Sequence, residues 1–220
     1  MAKISKRMQI TLIVLAGIVL AGATYFYQKI FGGKARALPE NEFVVGEAKK
    51  ITISPTEEKQ EIVAVVTAES PTEGVAEVIK RTGNLDFIKP GQKVLVKPNV
   101  NSDDKAPGTT HPESLAEVIR QVKAKGAYVI VGDRSNPRYG TIASMKKTGM
   151  YKAAQDAGAD EIVAFEDEEW VRVNPEKAKN WPKGFRIPKR LAEIDHVISI
   201  PVLHTHSITG HSLAIKTWLD

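Results

Sequence analysis

From residue 61 onward the chain alternates short apolar runs with helix-opening signals, and few architectures accept that alternation. Glu61 to Val66 predicts a first strand, and Ser70-Pro71-Thr72-Glu73 then supplies a cap, a proline at the first helical position and an acid three residues after the cap. The helix runs through Val75, Val78 and Ile79 to about Arg81. Gln92 to Lys97 predicts the second strand. Thr110-His111-Pro112-Glu113 is a second capping box, with Thr110 as the cap, and opens a helix with Leu115, Val118, Ile119 and Val122 at helical spacing and Gly126 as its stop. Ala127 to Val131 predicts a third strand, Met150 to Ala157 a helix closed by Gly158, Glu161 to Phe165 a fourth strand, and His196 to Ile200 a fifth. Strands separated by helices imply right-handed crossovers, so the expected fold is α/β: a mainly parallel, doubly wound, Rossmann-like sheet with helices on both faces.

A membrane signal precedes that body. Ile10 to Tyr27 is 18 residues without a charge, which as a helix spans roughly 27 Å, close to a bilayer core. Residues 1–31 therefore read as a signal anchor or transmembrane helix, 32–60 as a polar linker and 61–220 as the α/β domain. The linker carries two β-leaning patches, Phe43-Val44-Val45 and Ile51-Thr52-Ile53. Ala21-Gly22-Ala23 and Ala35-Arg36-Ala37 leave cleavage open. Ser5-Lys6-Arg7-Met8-Gln9-Ile10 resembles a twin-arginine export signal with Lys in place of the first arginine. The expected location is membrane-anchored, with the body on the extracytoplasmic, periplasmic side.

The net charge of +5 has an uneven origin. Residues 1–37 carry six basic residues and no acid, which leaves 25 basic against 26 acidic side chains in the remainder, a net of −1. A nucleic-acid partner loses its support. The chain has no cysteine, so disulfides, thiolate zinc sites, cysteine nucleophiles and an iron–sulfur cluster held by this chain are excluded.

Polar residues follow the predicted strands directly: Lys97-Pro98-Asn99 after the second, Asp133-Arg134-Ser135 after the third, and Pro201 to His206 after the fifth. In open parallel sheets ligands bind beyond the carboxyl ends of the strands. Lys97, Asn99, Asp133 and Arg134 are thus candidate binders of a small anionic ligand. His204, His206 and Lys216 are candidate catalytic groups, and His204, His206 and His211 candidate ligands of a divalent metal. His204 and His206 alternate with Thr205 and share a side if the chain is extended. His111, at a helix start, and His196, within a strand, read as structural. No nucleophile elbow, Walker loop or dinucleotide fingerprint occurs.

In order and spacing, the segments Val94-Leu95-Val96-Lys97-Pro98-Asn99, Thr110-His111-Pro112, Gly132-Asp133-Arg134-Ser135, Phe165-Glu166-Asp167, Asp195 to Pro201, Leu203 to His206 and Leu213 to Lys216 resemble a bacterial and archaeal family, domain of unknown function 362. The family has no settled general activity; many members are exported or carry iron–sulfur clusters. This chain has Leu203-His204-Thr205-His206 where the family usually shows Leu-Lys-Thr-His, and Thr217 where Asn follows the lysine. Family members continue well beyond this point, so the resemblance implies a shortened chain. The Asp133-Arg134 loop and the Thr209 to Lys216 stretch bear a fainter likeness to the nickel-pincer lactate racemase superfamily. Two readings stay open: an enzyme or ligand-binding domain at a membrane, and a non-catalytic envelope protein.

Overall fold

The computed structural model describes residues 63–175, 179–206 and 210–212, all within a compact unit formed by residues 43–220. Helix α1 (Pro71–Arg81) starts as its sequence dictates: the Ser70 side chain accepts the Glu73 N–H at 3.2 Å, and Pro71 occupies the first turn. Strand β1 (Lys93–Pro98) follows, then α2 (Pro112–Ala124), β2 (Tyr128–Asp133), α3 (Thr141–Thr148), α4 (Met150–Asp156) and β3 (Glu161–Ala164). Next come an antiparallel hairpin, β4 (Trp170–Val173) with β5 (Phe185–Pro188), strand β6 (His196–Ile200), and a short hairpin of β7 (His204–His206) with β8 (Gly210–Ser212).

The central sheet has four parallel strands in the order β3-β2-β1-β6. From β1 to β3 the chain steps one way; between β3 and β6 it returns to the far side of β1. Right-handed crossovers put connections on one face for the outward steps and on the opposite face for the return. The core follows that rule. Val94, Val96, Val129 and Val131 pack with Ile79, Leu115, Ile119, Val122, Met145 and Met150, so all four described α-helices contribute to this cluster. Leu95 and Ile130, on the other face, pack with Phe165, Trp170, Leu191 and Ile194 from the hairpin and two 3-10 turns. The expected helices on both faces are therefore found on one face among the described residues.

Other expectations are revised as well. Residues 63–66 form no strand, and Val63 and Val65 are exposed; β6 takes the place beside β1, so apolar content alone found them no partner. The cap of α2 is His111, not Thr110: its Nδ1 accepts the Glu113 N–H at 3.2 Å. No helix among the described residues is long and apolar enough to cross a membrane. The run Ile10–Tyr27, the linker patches and Lys216 lie outside the described residues.

Candidate functional site

The strand order reverses at β1, so the carboxyl ends of β1 and β6, where Pro98 lies opposite Ile200, send their following chain segments apart. A cavity of about 460 Å³ sits there. Ala106, Pro107 and Thr109 of the β1–α2 connection form one wall, His111 and Ser114 of the α2 start another, and Ile200 at the end of β6 with Pro201 to Leu203 beyond it a third.

Thr110 joins these walls. Its hydroxyl accepts the Asn99 N–H at 2.8 Å and donates to Ile200 O at 2.7 Å, while its own N–H donates to Asn99 O at 3.0 Å. One buried side chain thus ties the ends of both strands to the entrance of α2. Thr109 holds the connection itself, its hydroxyl donating to Asp104 O at 2.8 Å. His111 lines the cavity and uses Nδ1 as an acceptor, which in the neutral ring leaves the proton on Nε2.

Lys97 and Asp133 meet at the ends of β1 and β2 as a buried ion pair. The second Asp133 oxygen accepts the Val100 N–H at 2.7 Å, so the aspartate also fixes the start of the β1–α2 connection. Burial pushes the Asp133 carboxyl above its ordinary range, against the pull of Lys97 and of the Val100 and Arg134 N–H groups. Ser135 continues the strap: its hydroxyl donates to Val100 O, and its N–H donates to Thr141 Oγ1 at 2.8 Å. Glu166 in turn accepts both the N–H and the hydroxyl of Thr141 at 2.8 Å, so a carboxylate of the chain itself occupies the start of α3.

The sequence-predicted residues are distributed as follows. Lys97, Asn99 and Asp133 converge on the rim, all buried. Arg134 does not join them; it is exposed, with its guanidinium 5.3 Å from the centre of the Trp170 ring. His204 and His206 lie on β7, and in the hairpin register His204 faces Ser212, Thr205 faces His211 and His206 faces Gly210. His204 Nδ1 is 2.8 Å from Thr205 O. Among the described residues no group of three or more His, Asp or Glu side chains is placed to hold a metal ion. His196 lies at the opposite end of its strand, bonded to Gln92 Oε1 at 3.1 Å and edge-on to Phe87. Thr109 and Ser114 escaped sequence reasoning, and Thr110, Val202 and Leu203 were noticed without a place at the cavity; the signal that could have found them is strand order, which no local pattern carries.

The profile of the family described as Domain of unknown function (DUF362) matches residues 94–219, more than half of the chain. The chain belongs to the DUF362 family. It is also similar to the thylakoid-associated protein sll1697 of Synechocystis sp., at 27% identity over 137 residues, covering 61% of this chain and 40% of that protein. The chain thus matches well under two thirds of its curated relative. No solved structure matches it. The DUF362 match begins at Val94 in β1 and so takes in Lys97, Thr110, Asp133 and the cavity-lining residues.

Proposed function

We propose that this DUF362 chain is a membrane-tethered α/β domain that binds a small anionic molecule in the cavity between the ends of β1 and β6. The observation that carries the reading is the coincidence of the cavity with the reversal of strand order, where open parallel sheets gather their ligands. The start of α2 supports the anionic part. Pro112 has no N–H and His111 takes that of Glu113, so Ser114, which lines the cavity, is the next donor in the turn. Ile200, Val202 and Leu203 supply apolar walls suited to a short carbon skeleton. His111 is the cavity's titratable group and the one placed to move a proton if the bound molecule reacts. In this reading Lys97 and Asp133 hold the rim in shape instead of touching the ligand.

The tether is the apolar run Ile10–Tyr27. The thylakoid association of the Synechocystis relative fits a membrane setting. A divalent metal is a separate element, supported by a hairpin that brings the backbones of His204, His206 and His211 into adjacent register.

Thermal unfolding of the full chain in detergent, with phosphate, pyrophosphate, lactate and short dicarboxylates in turn, tests the reading. An anion bound at about 100 times its Kd adds about 2.7 kcal/mol. Wild type is expected to gain melting temperature with at least one anion, and Ser114→Trp, which fills the cavity, to lose that gain. No response in wild type, or an equal response in Ser114→Trp, removes the proposal. Metal content before and after replacing His204 and His206 by Ala tests the imidazoles independently.

A further inference from the structure

The β4–β5 hairpin carries a surface unlike the rest of the described body. Elsewhere several lysines are answered by acids: Lys123 by Asp160, Lys125 by Asp86, Lys147 by Asp103, Lys152 by Asp156. Between Val171 and Pro188 the sequence holds Arg172, Lys177, Lys179, Lys183 and Arg186 against a single acid, Glu176. Lys179 and Lys183 are exposed and have no ion-pair partner among the described residues. Beside them Trp181 is 51% exposed, its ring edge-on to Phe185 at 5.9 Å.

The arrangement is held in place. Arg172 Nη1 donates to Lys183 O at 2.8 Å across the hairpin, and Gly184 adopts φ +68° where a Cβ would stand 2.1 Å from Val173 O. The exposed indole is therefore presented by a fixed turn, with cations on either side in sequence.

We propose that the end of this hairpin rests on an anionic lipid surface. An indole combines a large apolar body with an N–H donor and settles at the headgroup level, where lysines gain from anionic lipids. The apolar run Ile10–Tyr27 supplies the route to a bilayer, and the linker 32–60 is long enough to let the domain meet it. Nucleic acid is the competing polyanion. Residues 38–220 carry a net charge of −1, and Lys123, Lys147 and Lys152 of the helices are each held in an ion pair, so an extended polyanion finds its densest attraction along this hairpin. A membrane plane needs to touch nothing else.

The test uses the full chain in vesicles of brominated phosphatidylcholine, with or without about 30% phosphatidylglycerol, and reads quenching of tryptophan fluorescence. Comparison with Trp181→Phe isolates Trp181 from the other two tryptophans while keeping an aromatic ring against Phe185. Trp181 is expected to be quenched in the anionic vesicles. The double reversal Lys179→Glu with Lys183→Glu is expected to return it to the neutral-vesicle level, since each basic side chain near such a surface is worth about fivefold in association. Equal quenching of wild type and Trp181→Phe overturns the proposal, as does quenching that the double reversal leaves unchanged. Stronger shielding of Trp181 from acrylamide by a single-stranded oligonucleotide than by anionic vesicles overturns it too.

Discussion

Lys97 and Asp133 form an ion pair whose two side chains are each only 6% exposed, at the carboxyl ends of adjacent parallel strands. Removing one partner strands the other in the interior. Asp133→Leu is expected to cost about 3–5 kcal/mol, whereas Lys97→Met with Asp133→Leu recovers most of that loss because no lone charge remains. The recovery stays incomplete by about 1–3 kcal/mol, since the buried Val100 N–H loses its acceptor in both variants. Chemical denaturation of the full chain and these two variants checks the ordering; a double variant no more stable than Asp133→Leu alone counts against it.

Lys97→Met alone carries a pH signature. Burial raises the Asp133 carboxyl, and Lys97 is the main group opposing that rise. Without the lysine the folded-state pKa stands further above the unfolded one. For an acid raised on folding, the stabilising contribution is complete below the unfolded pKa and disappears as pH climbs through the folded pKa. The deficit of Lys97→Met relative to wild type is therefore expected to be larger near about pH 8 than near about pH 5. A deficit independent of pH over that range contradicts the assignment.

Gly132, just before Asp133 in β2, is a packing glycine. An added Cβ would lie 2.7 Å from Phe165 Cε1 and 2.8 Å from Val163 Cγ2. Phe165 belongs to the small cluster on the face opposite the described α-helices, so the ring cannot withdraw without uncovering Leu95 and Ile130. Gly132→Ala is expected to cost about 1–3 kcal/mol by overpacking. Gly132→Ala combined with Phe165→Leu, which gives the methyl room, is expected to cost less than the separate effects add to; thermal melts of the set check this.

The sequence was legible where local chemistry decides the outcome. Ser70-Pro71-Thr72-Glu73 opens α1 as its residues require, and the apolar spacing of Leu115 to Val122 marks the buried face of α2. At Thr110-His111 the same reasoning slipped by one position, although Pro112 at the first helical position already marked His111 as the cap. Helix α3 was missed because its buried face is largely polar, with Thr141, Ser144 and Thr148 beside Met145, and apolar periodicity cannot register it. Residues 63–66 form no strand for the opposite reason, since an apolar run becomes a strand only if a neighbour accepts its edge. The rim residues Lys97, Asn99 and Asp133 followed from their place at the carboxyl ends of strands. The cavity did not, because it depends on β6 lying beside β1, a long-range pairing that no local pattern encodes.

Asp160 offers a test of the β2 entrance far from the cavity. Burial pushes its carboxyl up, but the Lys123 ammonium at 2.8 Å and the Val129 N–H at 2.6 Å outweigh that and hold it below its ordinary range. A carboxyl lowered on folding stabilises above the unfolded pKa and loses that contribution as pH falls through the folded one. Asp160→Asn is expected to lower stability by about 1 kcal/mol near neutrality, after allowing for its partial exposure, and to match wild type at the acid end of the titration. Unfolding curves across the acid range check the convergence.

Thr110 makes the sharpest prediction about the cavity itself. Thr110→Val keeps the shape but leaves Asn99 N–H without its acceptor and Ile200 O without its donor. The expected cost is about 2 kcal/mol in stability, and Thr110→Ser, which keeps the hydroxyl, is expected to restore most of it. Because the same hydroxyl joins the end of β1 to the end of β6, its loss should also loosen the walls that Ile200 to Leu203 form around the cavity. Hydrogen exchange of the full chain reads this directly: protection of Asn99 and of the end of β6 falls in the valine variant, while the β4–β5 hairpin keeps its protection. Equal loosening of both regions means general destabilisation and removes Thr110 as the link between the two strands.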